Sequence, residues 1–83
     1  MGTYLGQNFL IDNKIRHRIA DKIQQQYQVL QAEFLIEIGP GKGSLTKLIK
    51  DISQHFLIFE KDETLKEKLE EVLTDNHNYE IIR

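Results

Sequence analysis

The chain has 83 residues and a net charge of −2. At that length it holds at most one small hydrophobic core, burying about 60–65% of the unfolded surface, and with no cysteine it has no disulfide to reinforce that core. The slightly acidic balance argues against a segment that is mainly a nucleic-acid surface, and no apolar run approaches the roughly 20 residues of a membrane span.

The N-terminus lacks a basic stretch followed by a long apolar one, so a secretory signal is not expected. Residues 1–10 form a polar, glycine-bearing lead-in without helical or strand period. Ile11, Ile15, Ile19, Ile23 and Tyr27 then recur every four residues, one stripe of an amphipathic helix. Asp12 or Asn13 can cap its start by accepting a backbone N–H bond. The run Gln24-Gln-Gln26 marks its exposed end. Phe34 to Ile38 is apolar nearly throughout, which suits a parallel strand covered on both faces, and Glu37 interrupts it. The glycines Gly39, Gly41 and Gly43 follow at once, with a helix predicted over 44–52 from Leu45, Leu48, Ile49 and Ile52. Phe56 to Phe59 is the second predicted strand, ending in Glu60, twenty-one positions after Gly39. Asp62 caps a third helix with Leu65, Leu69, Val72 and Leu73 facing inward. Asp75-Asn-His-Asn78 reads as a turn and Tyr79 to Ile82 as a third strand.

Strand, glycine turn, helix, strand, acid is the layout of a nucleotide half-site, in which the acid accepts hydrogen bonds from ribose hydroxyls. A βαβαβ order implies a parallel sheet with right-handed crossovers. Three strands are half of a doubly wound domain, so the chain is expected to be the N-terminal part of a longer enzyme. A complete three-strand miniature domain is the alternative.

The glycine spacing separates the candidate ligands. The dinucleotide fingerprint wants glycine or alanine three positions after the second glycine, where this chain has Ser44. Pro40 removes a backbone N–H that a pyrophosphate could use, and Glu37 would repel a phosphate. A ligand with a ribose, an adenine and a cationic amino-acid tail fits better, namely S-adenosylmethionine. A nicotinamide-dependent oxidoreductase is the disfavoured alternative.

Leu5-Gly-Gln-Asn-Phe-Leu10, Glu37-Ile-Gly-Pro-Gly-Lys-Gly-Ser-Leu-Thr46 and Phe59-Glu-Lys-Asp62 together resemble the rRNA adenine N6-dimethyltransferase family. That family includes the bacterial small-subunit rRNA dimethyladenosine transferases, the macrolide-resistance rRNA methylases and the mitochondrial transcription factor B proteins. The first block is specific to the family, whereas the second is shared more loosely with other methyltransferases. The resemblance implies an α/β, Rossmann-like methyltransferase fold, with a lead-in and helix over 1–30 and the βαβαβ unit over 33–83. It implies that Asn8 and Leu10 lie over the methionine end of S-adenosylmethionine, with Phe9 in the pocket wall. It also implies that Gly39 and Gly41 let the backbone approach the cofactor, that Glu60 holds the ribose hydroxyls, and that Lys61 lies next to the adenine edge. Glu37 would orient the glycine loop or the methionine ammonium, or, as a strand-end acid, simply cap the next helix.

The family's acid for the adenine amino group and its Asn-Leu-Pro-Tyr-type motif for the target base would follow Arg83. No residue of this chain is therefore assigned to catalysis, and the chain alone is expected to be inactive. The implied reaction is dimethylation of adenine N6 in small-subunit rRNA by a cytoplasmic, monomeric enzyme whose partner is rRNA or a pre-ribosomal particle. A non-catalytic nucleic-acid-binding relative, like the transcription-factor members, is the second reading. His17, His55 and His77 have no ligand spacing, so no metal is expected. Lys14, Arg16 and Arg18 read first as a solvated helix face and secondly as a contact for rRNA phosphates.

Overall fold

The computed structural model describes residues 12–83. In chain order the elements are α1 (Asn13–Leu30), β1 (Phe34–Ile38), α2 (Thr46–Ile49), β2 (His55–Phe59), α3 (Glu63–Val72) and β3 (Tyr79–Ile82). The strands form one parallel sheet in the order β1-β2-β3, as the βαβαβ pattern requires.

Helix α1 starts where Asp12 accepts from the backbone N–H groups of Lys14 (3.0 Å) and Ile15 (3.1 Å), two of the donors that a helix start leaves without partners. It ends at Gln31, whose left-handed backbone (φ 52°) lets the N–H of Ala32 reach the carbonyl of Tyr27 at 3.2 Å. Asp62 repeats the N-cap device for α3, accepting from Thr64 N–H at 2.9 Å.

One face of the sheet carries the core. Phe56 and Ile58 of β2 are fully buried with Ala20 of α1, Ile49 of α2, and Leu69 and Leu73 at the end of α3, while Leu35, Tyr79 and Ile81 pack against them. The register places Leu35, Phe56 and Tyr79 side by side, then Glu37, Ile58 and Ile81, so all of these share that face. The opposite face presents Phe34 (51% exposed), Ile36 (54%) and Ile38 (81%). The expected two-sided cover of β1 is therefore not met among the described residues: all three helices contribute to the core on one side of the sheet.

Two further expectations are corrected. On α1 the deepest residue is Ala20, with Ile23 partly buried beside the core, whereas Ile15 and Ile19 are more than a third exposed. The helix meets the core along a line displaced from its isoleucine stripe, with a small side chain deepest in the contact. The predicted helix over 44–52 is regular for a single turn, Thr46–Ile49. Beyond it, side-chain amides from the turn before β3 take two backbone carbonyls. Asn76 donates to the Lys50 carbonyl (3.2 Å), and Asn78 donates to the carbonyls of Lys50 (3.0 Å) and Ser53 (2.8 Å). The turn at 75–78 is thereby clamped to the segment leading into β2, at the opposite end of the strands from the glycines.

Candidate functional site

The glycine turn begins where β1 ends. The N–H of Gly39 donates to the carbonyl of Phe59 (3.0 Å), and that of Glu60 donates to the carbonyl of Ile82 (2.9 Å). These two bonds extend the sheet ladder past its last paired residues and lash the three strand ends together. They bring the first glycine alongside the residue that precedes Glu60, so the two sequence-predicted half-site elements meet at the carboxyl edge of the sheet. That edge is where ligands bind in open α/β sheets.

The three glycines differ in what they require. All have positive φ: 65° at Gly39, 61° at Gly41 and 89° at Gly43. A Cβ added at Gly39 or Gly41 would meet no atom of the described residues within 4 Å, so both leave open space above the backbone there. A Cβ at Gly43 would sit 3.2 Å from Leu69 Cδ2 and 3.3 Å from Val72 Cγ2. Gly43 is therefore a packing glycine, which lets the turn lie against α3. The turn is closed by the N–H of Gly43 donating to the carbonyl of Pro40 at 3.1 Å, and Pro40 itself is buried.

Glu60 is half-buried, and one oxygen of its carboxylate accepts from the backbone N–H of Asp62 at 3.0 Å. This local bond orients the side chain and leaves acceptor capacity on the other oxygen. Lys61 beside it is exposed.

Glu37 lies on the helix-covered face of β1, next to Ile58. Burial raises its carboxyl above the ordinary glutamate range, and a hydrogen bond from Thr46 opposes that rise in part. The Thr46 hydroxyl donates to Glu37 Oε1 at 2.6 Å. The composition of the strand singled out Glu37, whereas Thr46 was missed as its partner. The available signal was a lone hydroxyl among the apolar residues of α2, nine positions from a lone acid in an apolar strand.

Asn8 and Leu10, along with Phe9, lie outside the described residues. Of the basic group at the start of α1, Arg16 donates to Asn13 Oδ1 (2.9 Å) and His17 Nδ1 pairs with the Asn13 carbonyl (2.9 Å), while Lys14 and Arg18 are exposed. Among the described residues no helix is long and apolar enough to cross a membrane.

The sequence profile of the family described as "Ribosomal RNA adenine dimethylase" matches residues 2–83. The chain belongs to the ribosomal RNA adenine dimethylase family. Its relatives include proteins named "Ribosomal RNA small subunit methyltransferase A". The one from Halothermothrix orenii is 42% identical over 78 residues, 94% of this chain and 25% of the relative. The one from Pasteurella multocida is 42% identical over 64 residues, 77% of this chain and 21% of the relative. The one from Clostridioides difficile is 37% identical over 78 residues, 94% of this chain and 26% of the relative. The chain thus spans about a quarter of the length of the curated relatives it matches. No solved structure matches it. Three parallel strands with flanking helices agree with the Rossmann-like fold expected of a ribosomal RNA adenine dimethylase.

Proposed function

We propose that this chain is the cofactor-binding part of an S-adenosylmethionine-dependent enzyme that dimethylates N6 of adenines in small-subunit rRNA. The observation that carries the reading is the lashed carboxyl edge of the sheet, where the open turn at Gly39 and Gly41 stands beside the strand end that bears Glu60. The residues fit the group. Gly39 and Gly41 offer backbone unshielded by side chains, Glu60 offers a carboxylate oxygen for ribose hydroxyls, and the acid at Glu37 suits a cationic amino-acid tail. The same features disfavour a pyrophosphate, since Pro40 has no N–H to give and Glu37 would repel it.

When bound, S-adenosylmethionine supplies a methyl group on a sulfonium sulfur, already a good leaving group. The protein's share of the work is then position and electrostatics. Asn8 and Leu10 are assigned by family resemblance to the methionine end of the cofactor, Phe9 to the pocket wall, and Lys61 to the adenine edge. The target adenine has to leave its stack to be reached. The groups that hold it are assigned to sequence after Arg83, so no residue here is given a catalytic role and the chain alone is expected to be inactive. The proposed partner is rRNA or a pre-ribosomal particle, and the proposed setting is a monomer in the cytoplasm.

An amide-resolved NMR titration of the full chain with S-adenosylmethionine, with NAD as control, tests the reading. Shifts confined to residues 39–43, Glu60 and the lead-in with the first ligand only are expected. Shifts with NAD instead, or with neither ligand, would refute it.

A further inference from the structure

Thr46 and Ser53 are the two buried polar side chains among the described residues. Ser53 donates to the carbonyl of His55 at 3.0 Å and so serves the backbone. Thr46, with no exposure, gives its hydroxyl to a carboxylate on another element, at the 2.6 Å of a charge-assisted O–H···O bond. Glu37 is the next-to-last residue of β1 and Thr46 the first of α2. The bond therefore joins the two ends of the segment that holds all three positive-φ glycines. It occupies Oε1 of Glu37. The second oxygen receives no hydrogen bond among the described residues, where no buried side-chain oxygen or nitrogen lacks a partner, so they do not seal it.

We infer that Thr46 is a positioning residue for the cofactor: its hydroxyl fixes the rotation of the Glu37 carboxylate, leaving the second oxygen to accept from a cationic group at the glycine turn. This rests on the proposed cofactor reading. A valine at position 46 has nearly the same volume and no hydroxyl, so it separates the hydrogen bond from the bulk. Removing it withdraws the one group that opposes the desolvation of Glu37.

The test compares T46V, which removes the hydroxyl at nearly constant volume, with T46S, which keeps the hydroxyl in a smaller side chain. The Glu37 carboxyl is titrated in the ligand-free full chain by carbon-13 NMR, and S-adenosylmethionine affinity is measured by calorimetry across the same pH range. In T46V the Glu37 midpoint moves up and affinity at neutral pH falls about tenfold, the scale of a lost hydrogen bond to a charged group. T46S stays near the unsubstituted chain in both. An unmoved midpoint in T46V, or equal affinities in T46V and the unsubstituted chain, would overturn the role of Thr46 alone. T46S behaving like T46V would do the same, by assigning the effect to packing. Failure of the unsubstituted chain to bind S-adenosylmethionine would refute the cofactor reading itself and remove the role with it.

Discussion

Replacing Gly43 and Gly41 by alanine, one at a time, separates the packing glycine of the turn from the one proposed to face the ligand. Both have positive φ, where an L side chain costs about 1–2 kcal/mol. At Gly41 the described residues add nothing to that cost, because the added methyl meets none of their atoms within 4 Å. At Gly43 the methyl also presses on Leu69 Cδ2 and Val72 Cγ2 at 3.2 and 3.3 Å. Leu69 is fully buried and cannot swing away, so overpacking adds about 1–3 kcal/mol. A chain of this length is expected to have roughly 4–12 kcal/mol of folding stability in all, at about 0.05–0.15 kcal/mol per residue. G43A should therefore unfold at clearly lower urea concentration than G41A, whereas G41A should remain folded and lose most of its affinity for S-adenosylmethionine. Equilibrium urea denaturation followed by circular dichroism, with calorimetric titration of the folded variants, measures both quantities. Equal stability losses in the two variants would refute the assignment of Gly43 to packing against α3, and full affinity in G41A would refute the assignment of Gly41 to the ligand side.

N78A removes two donors, to the carbonyls of Lys50 and Ser53; it should cost about 1–3 kcal/mol by denaturation while cofactor affinity in the folded fraction stays unchanged, because the clamp lies at the far end of the strands. D12A deletes the cap of α1 and should lower stability by about 1 kcal/mol, and D12N should restore most of it. E60Q keeps an acceptor for the Asp62 N–H but loses the charge, so calorimetry should show weakened S-adenosylmethionine binding at nearly unchanged melting temperature. E37Q tests the pH dependence: because burial raises the folded-state pKa of Glu37, this group's contribution to stability is complete below the unfolded-state pKa and is lost as pH rises through the folded one. The stability of E37Q relative to the unsubstituted chain should therefore increase as pH rises above the ordinary glutamate range, and denaturation curves showing a flat or opposite trend would contradict that environment.

The elements were legible because each is announced locally. Asp12 and Asp62 stand one residue ahead of helices they do cap, and the apolar runs that end at Ile38 and Phe59 are the two neighbouring strands. Position along the chain also carried Gly39 and Glu60, because a ladder between parallel strands brings their ends to one edge whatever the side chains are. What could not be read locally was anything set by partners distant in sequence. The clamp that Asn76 and Asn78 place on the carbonyls of Lys50 and Ser53 joins residues some 25 positions or more apart. The displaced contact line of α1 depends on where α2 sits. The apolar composition of Phe34–Ile38 is that of a strand covered twice, but composition does not say which residues supply the cover, and the helices described here supply one side.

Glu37 shows how the legible and the illegible parts meet. Strand composition marked it as an intruder in an apolar run, and the structure places it on the core-facing side, where an ionised carboxylate is disfavoured by desolvation. A leucine there would extend the cluster of Leu35, Ile58 and Ile81, and folding alone gives no reason to prefer the acid. The structure partly offsets the penalty with a second polar group, Thr46, itself buried where an apolar residue would serve the core better. Two coupled departures from the hydrophobic pattern, directed at one another across the ends of a glycine turn, are hard to explain as packing. They make sense if the acid is held charged for a ligand, and a positive group on that ligand, absent from a pyrophosphate and present in an amino-acid tail, would complete the compensation that Thr46 begins.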